Sequence, residues 1–194
     1  MHNVVLTNTY HVPGSADPVA TYENHCIKDA RCLTSTYERL GNDVRVLKDE
    51  IHDDVLEREI LLHPHDHTIP AIISTFVGND ALDLVQRTVY NFKTHEGEMK
   101  SWMVSSAMRG KFEATAGISL RAAGSFAPRR ITYEMDTDVV SNVTFIGSLL
   151  EKSITNELKE RGPRLEAMNQ EWLDEAVASE EAAEDADVFV DALS

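Results

Sequence analysis

The sequence is poor in the residues that announce chemistry. Among 194 residues it holds two cysteines and six prolines, and aromatic residues make up 7%. Two thiols cannot build a four-cysteine metal centre or a disulfide scaffold. Cys26 and Cys32 stand six apart in a segment read as helical, which sets them on different sides of a helix. Both are expected as buried, inert thiols in a reducing cytoplasm. Glycine is sparse as well, and neither a phosphate-cradling glycine loop nor a GxSxG nucleophile elbow occurs. No apolar run approaches the ~20 residues of a membrane span. The opening "MHNVVLTNTYHVPG" has neither the basic start nor the apolar core of a secretory leader.

Positive charge is scarce too. Eighteen Lys and Arg face thirty-three Asp and Glu, for a net charge of −15. That balance argues against a phosphate-neutralising nucleic-acid binder and disfavours docking on an anionic membrane. Eight of the acidic residues fall between Asp174 and Ser194, a stretch without Lys or Arg. At 42% hydrophobic, the rest of the chain can bury a core.

What is present is a change of period. Val4 to Val12 alternates and ends at Pro13-Gly14, as a strand does. Ser15 or Asp17 then caps a short helix, Pro18 suits its first turn, and it ends near Arg31 to Leu33. "TSTYERL", "DVRVLKDEI" and "VLEREILLH" read as β-rich pieces, with Asp53-Asp54 as a hairpin turn. "IPAIISTFVG" suits either a short helix or a buried strand.

Four more strands follow, separated by "THEGE", "RG" and "GSFAP". "ALDLVQRTVYNFK" places Leu82, Leu84, Tyr90 and Phe92 on one parity. "KFEATAGISLRA" turns Phe112, Ala114, Ala116, Ile118 and Leu120 one way. "RITYEMDTDV" turns Ile131, Tyr133, Met135 and Val139 inward and Glu134, Asp136 and Asp138 outward. This is an antiparallel meander with one wet face. From Phe145 to Trp172 the period is helical, with Leu150, Ile154, Leu158, Leu165, Met168 and Trp172 in one stripe. Gly162-Pro163 predicts a kink or a restart there. The final segment, residues 176–194, reads as an acidic, disordered tail.

A meander with one dry face needs a cover, and the helical stripe supplies it. The expected architecture is α+β: a curved antiparallel sheet of about seven strands wrapped around a long C-terminal helix, in one domain spanning residues 1–175. The order of elements, with "RRITYEMDTDVVSNVTFIGSLLEKSITNEL" leading from the last strand into the helix and "EAMNQEWL" closing it, resembles the START-like superfamily (SRPBCC, birch-pollen-allergen-like) and its helix-grip fold. More narrowly it resembles an actinobacterial family of unknown function within it. "IPAIISTFVG" sits where that family places a short helix. The resemblance implies an apolar cavity between sheet and helix that holds lipids or other hydrophobic molecules. It implies no catalytic residue and no cofactor.

The residues expected to line such a cavity are Tyr90, Trp102, Phe112, Ala114, Ala116, Tyr133, Leu150, Ile154, Leu158 and Met168. Small Ala114 and Ala116 either let the helix pack close or leave room for a ligand. Arg58 and Gln86 are candidates for the same inward parity, to pair internally or hold a ligand's head group. The one motif with the look of a metal site is "HPHDH". Extended backbone would aim His63, His65 and His67 to one side. It lacks a fourth ligand and lies beside Pro64 and Pro70, so the reading is a polar turn with a weak candidate metal site. Three function classes follow: non-catalytic binding of a small hydrophobic ligand, an interaction module using the acidic-apolar tail "EDADVFVDAL", and a metal-dependent hydrolase at the histidines. The oligomeric state is open.

Overall fold

The computed structural model describes residues 1–65, 83–105, 108, 110–124, 127, 129–144 and 147–191. "IPAIISTFVG", Leu82, Phe145 and His67 lie outside the described residues. Seven antiparallel strands form one curved sheet in the order β1-β7-β6-β5-β4-β3-β2. They are β1 (His2–His11), β2 (Asn42–His52), β3 (Val55–Pro64), β4 (Leu84–Asn91), β5 (Glu96–Met103), β6 (Phe112–Ala122) and β7 (Arg130–Ser141). Between β1 and β2 run α1 (Pro18–Tyr22), a wider π-helical turn (Glu23–Lys28) and α2 (Ala30–Arg39). The last element is α3 (Gly147–Asp191). The helix-grip architecture expected from the sequence is the one observed.

Local signals explain most elements. Asp17 accepts the Ala20 amide at 3.0 Å, and Pro18 opens α1. Asp53 and Asp54 take left-handed φ values of 48° and 67°, as a two-residue hairpin between β2 and β3 requires. Inward and outward residues alternate along β6 and β7 as their patterns predict.

Two elements differ from the expectation. "TSTYERL" is helix, not strand. Asp29 breaks the preceding turn with an extended backbone and caps α2 by accepting the Arg31 amide at 2.9 Å. Gly41, at φ 82°, then ends the helix. Thr36, a poor helix former, is held by bonds to Cys32 O (2.8 Å) and Asn169 Oδ1 (3.1 Å). The second difference is that α3 does not restart at Pro163. Pro163 lies on the exposed side, so the carbonyl that loses its donor faces water. Gly162 lies on the buried side, against Leu6. The helix continues past residue 175 to Asp191, and Val177 is buried. No helix among the described residues is long and apolar enough to cross a membrane.

The core is divided rather than continuous. At one end, Tyr10, Val12, Tyr22, Ile131, Leu173 and Val177 pack together, with the Tyr10 and Tyr22 rings 4.8 Å apart. Met103, Met108, Phe112, Val139 and Leu150 form a second cluster, and Leu56, Tyr90 and Ile118 a third.

Candidate functional site

A cavity of about 390 Å³ lies among these clusters, bounded by the concave face of the sheet, α2 and α3. Register places its floor. Val4, Thr137, Ala116, Met99, Thr88, Arg58 and Asp49 form one row across all seven strands. The next row runs Val139, Ala114, Ser101, Gln86, Ile60. On the other side, Met135, Ile118, Gly97, Tyr90 and Leu56 line up. Gly97 seats the Tyr90 ring: a Cβ there would stand 2.6 Å from Val89 O and 2.9 Å from Tyr90 Cδ2.

Seven of the residues expected on the cavity wall are there: Tyr90, Phe112, Ala114, Tyr133, Leu150, Ile154 and Leu158. Three are not. Trp102 faces the other way, because Met99, Ser101 and Met103 hold the inward parity of β5. Ala116 is inward and buried but does not border the cavity. Met168 is displaced by Asn169: below Leu165 the inward series is Asn169, Leu173 and Val177, four apart. The wall also includes Leu33 and Tyr37 from α2 and Leu40 at its C-terminal cap, a helical face that the strand reading of "TSTYERL" conceals. Their four- and three-residue spacing is the signal that could have found them. All five tyrosines of the chain, Tyr10, Tyr22, Tyr37, Tyr90 and Tyr133, border the cavity, and neither tryptophan does.

Most polar groups on the wall are internally paired. Arg58, which is buried, gives Nε to Asp49 (2.8 Å) and its two terminal nitrogens to the carbonyls of Ile27 and Lys28 in the π-helical turn (both 2.8 Å). Arg161 pairs with Glu157 one turn earlier on α3. Asn169 accepts from Thr36 and donates to Tyr10 Oη at 3.4 Å. The Tyr37 hydroxyl donates to Gln86 Oε1 at 2.9 Å. Behind Tyr90, buried Glu23 accepts from its hydroxyl (2.8 Å) and pairs with His95 Nδ1 (2.7 Å). Burial raises the pKa of every one of the five phenols, and for Tyr90 the Glu23 carboxylate adds to it. The wall therefore stays uncharged at its tyrosines across neutral pH.

Cys26 and Cys32 are free and buried, and both border the cavity. Their separation on opposite helix sides does not hold, because the chain turns at Asp29 between them and both join one cluster. A hydrogen bond with the Cys32 thiol, together with burial, pushes the Cys26 pKa up, which keeps that thiol protonated.

Of "HPHDH", only His63, Pro64 and His65 are among the described residues. His63 is on the outward parity of β3 and pairs with Asp83. His65 lies past the strand end and pairs with Asp43 at 3.0 Å. Among the described residues no three His, Cys, Asp or Glu side chains come together as a metal site.

Residues 9–173 match the family described as "Protein of unknown function (DUF2505)". No curated protein matches the chain. Among solved structures, it is similar to TTHA0849 from Thermus thermophilus, at 11% identity and TM-score 0.57, covering 90% of this chain and 99% of that one. It is also similar to Ara h 8.0201, at 8% identity and TM-score 0.53, covering 89% and 97%. Norcoclaurine synthase from Thalictrum flavum is a third, at 10% identity and TM-score 0.52, covering 91% and 87%. At these identities the likeness is one of fold alone, the helix-grip arrangement of a curved sheet around a long C-terminal helix.

Proposed function

For a chain that belongs to the DUF2505 family of unknown function, we propose non-catalytic binding of a small hydrophobic or lipid-like molecule between the sheet and α3. The observation that carries this reading is the cavity itself. Its volume of about 390 Å³ falls in the range of small-molecule sites, and its wall is mostly apolar with a few placed polar groups. The bound molecule replaces side-chain packing that Ala114, Ser101 and Thr88 are too small to supply. The natural setting of such a carrier is the cytoplasm.

Native mass spectrometry of gently purified protein, followed by solvent extraction, tests the reading. The expected result is a bound hydrophobic mass, or uptake of a neutral fluorescent dye such as Nile red by protein stripped of it. A protein that is empty on purification and takes up no dye overturns the proposal.

A second reading has one observation in its favour. Helix α3 runs on to Asp191, well beyond buried Val177, and Asp174, Glu175 and Glu180 are exposed along it. Residues 176–194 as an acidic bait for a basic partner would be tested by pull-downs with and without them. An unchanged set of captured proteins rejects it.

A further inference from the structure

On the cavity floor, the Gln86 amide nitrogen and the Ser101 hydroxyl make no hydrogen bond among the described residues. Ser101 on β5 and Gln86 on β4 stand directly opposite each other in register, so their Cβ atoms lie about 5 Å apart. Both border the cavity. Gln86 is 5% exposed and Ser101 6%. Gln86 Oε1 is occupied by the Tyr37 hydroxyl. Gln86 Nε2 and Ser101 Oγ make no hydrogen bond among the described residues, and neither atom is sealed away from the cavity space. The Thr88 hydroxyl, one inward step along β4, is likewise without a partner among the described residues and borders the same floor.

Buried polar groups are nearly always satisfied, and exceptions call for a reason. Here two N–H donors, and hydroxyls able to donate or accept, call for an oxygen partner in the cavity. Water fills that role in an empty cavity, and a ligand oxygen can take its place. Charge decides which kind of oxygen. Arg58 and Arg161 are the two basic residues on the described wall. The first is committed to Asp49 and two carbonyls, the second to Glu157. A carboxylate brought to Ser101 would be desolvated without a cation to meet it.

Resting on the binding role proposed above, we infer that the cavity selects a neutral hydrophobic molecule bearing a hydroxyl or carbonyl oxygen, held at Gln86 and Ser101, over both a pure hydrocarbon and a fatty-acid carboxylate. Gln86 is itself positioned by Tyr37, so α2 and the sheet together set the anchor.

Nile red displacement from the full chain by dodecane, dodecanol and dodecanoate tests this. Dodecanol should compete about tenfold better than the other two. Ser101→Ala should lower dodecanol affinity about fivefold to tenfold and leave dodecane unchanged. Because Ser101 Oγ has no partner to lose among the described residues, the variant should keep the wild-type melting profile. Ser101→Thr, which keeps the hydroxyl, should retain most of the preference. Equal competition by dodecane and dodecanol, a preference for dodecanoate, or an unchanged dodecanol affinity in Ser101→Ala overturns this inference and leaves the binding role standing. Failure of the protein to bind Nile red or any of the three overturns both.

Discussion

The two regions of the space between sheet and helix share one sheet and one covering helix and end in opposite states. At the far end, β1, β7 and α3 present Tyr10, Ile131, Leu173 and Val177, and the space is filled. In the middle, β4, β5 and β6 present Thr88, Ser101 and Ala114 to the same helix, and the space is hollow. Backbone geometry is continuous between the two, so side-chain volume at the inward positions decides the difference. The large residues act as struts that hold the helix off the sheet, and the small ones turn that clearance into a cavity.

The sharpest way to break this contrast is at the filled end. Leu173→Ala should cost about 3 kcal/mol of stability, read by chemical denaturation, with little change in ligand affinity at folding conditions. A comparable loss of affinity would mean that the two regions are not separable. Next, Ala114→Leu should fill the hollow. Nile red affinity should fall at least tenfold, while stability moves by less than about 1.5 kcal/mol, because the added atoms enter empty space. Unchanged dye binding would place the dye elsewhere.

A smaller effect is expected at Thr137, whose hydroxyl is buried with no partner among the described residues. Thr137→Val should stabilise the unliganded protein by about 1 kcal/mol, read as a higher denaturation midpoint. Destabilisation would reveal a partner for that hydroxyl. The smallest effect concerns the cap of the helix that walls the hollow. The Arg31 guanidinium holds the Asp29 carboxyl below its ordinary pKa. A depressed carboxyl contributes stability that is fully present above its unfolded value, about 3.9, and is lost as pH falls through the lower folded value. Asp29→Asn keeps the cap and removes the charge. It should therefore cost about 0.5 kcal/mol at neutral pH and nothing in strong acid. A difference that persists in acid would assign the effect to capping geometry.

Much of the sheet is legible in the sequence because its alternation is clean. Phe112, Ala114 and Tyr133 follow from parity alone, and the helix cover follows from the dry face it must hide. The failures have physical causes. The size of Trp102 argues for the inside, whereas the register of β5 assigns that face to Met99, Ser101 and Met103. Met168 is more apolar than Asn169, yet an inward asparagine serves well where Thr36 and Tyr10 give it partners. Helix α2 is hidden by β-branched Thr34 and Thr36, whose intrinsic preference is overridden by an Asp29 cap and by Leu33, Tyr37 and Leu40 facing the sheet. That Ser101 has no partner among the described residues is not written in the sequence, since it depends on what the described strands and helices around it offer.

The segregation of the aromatic residues gives the molecule a built-in optical reporter. All five tyrosines border the cavity, while Trp102 and Trp172 stand away from it. A molecule entering the hollow changes the surroundings of the phenols and leaves the indoles as a constant internal reference. Tyrosine absorbance, normalised to tryptophan, can therefore follow occupancy without any added label.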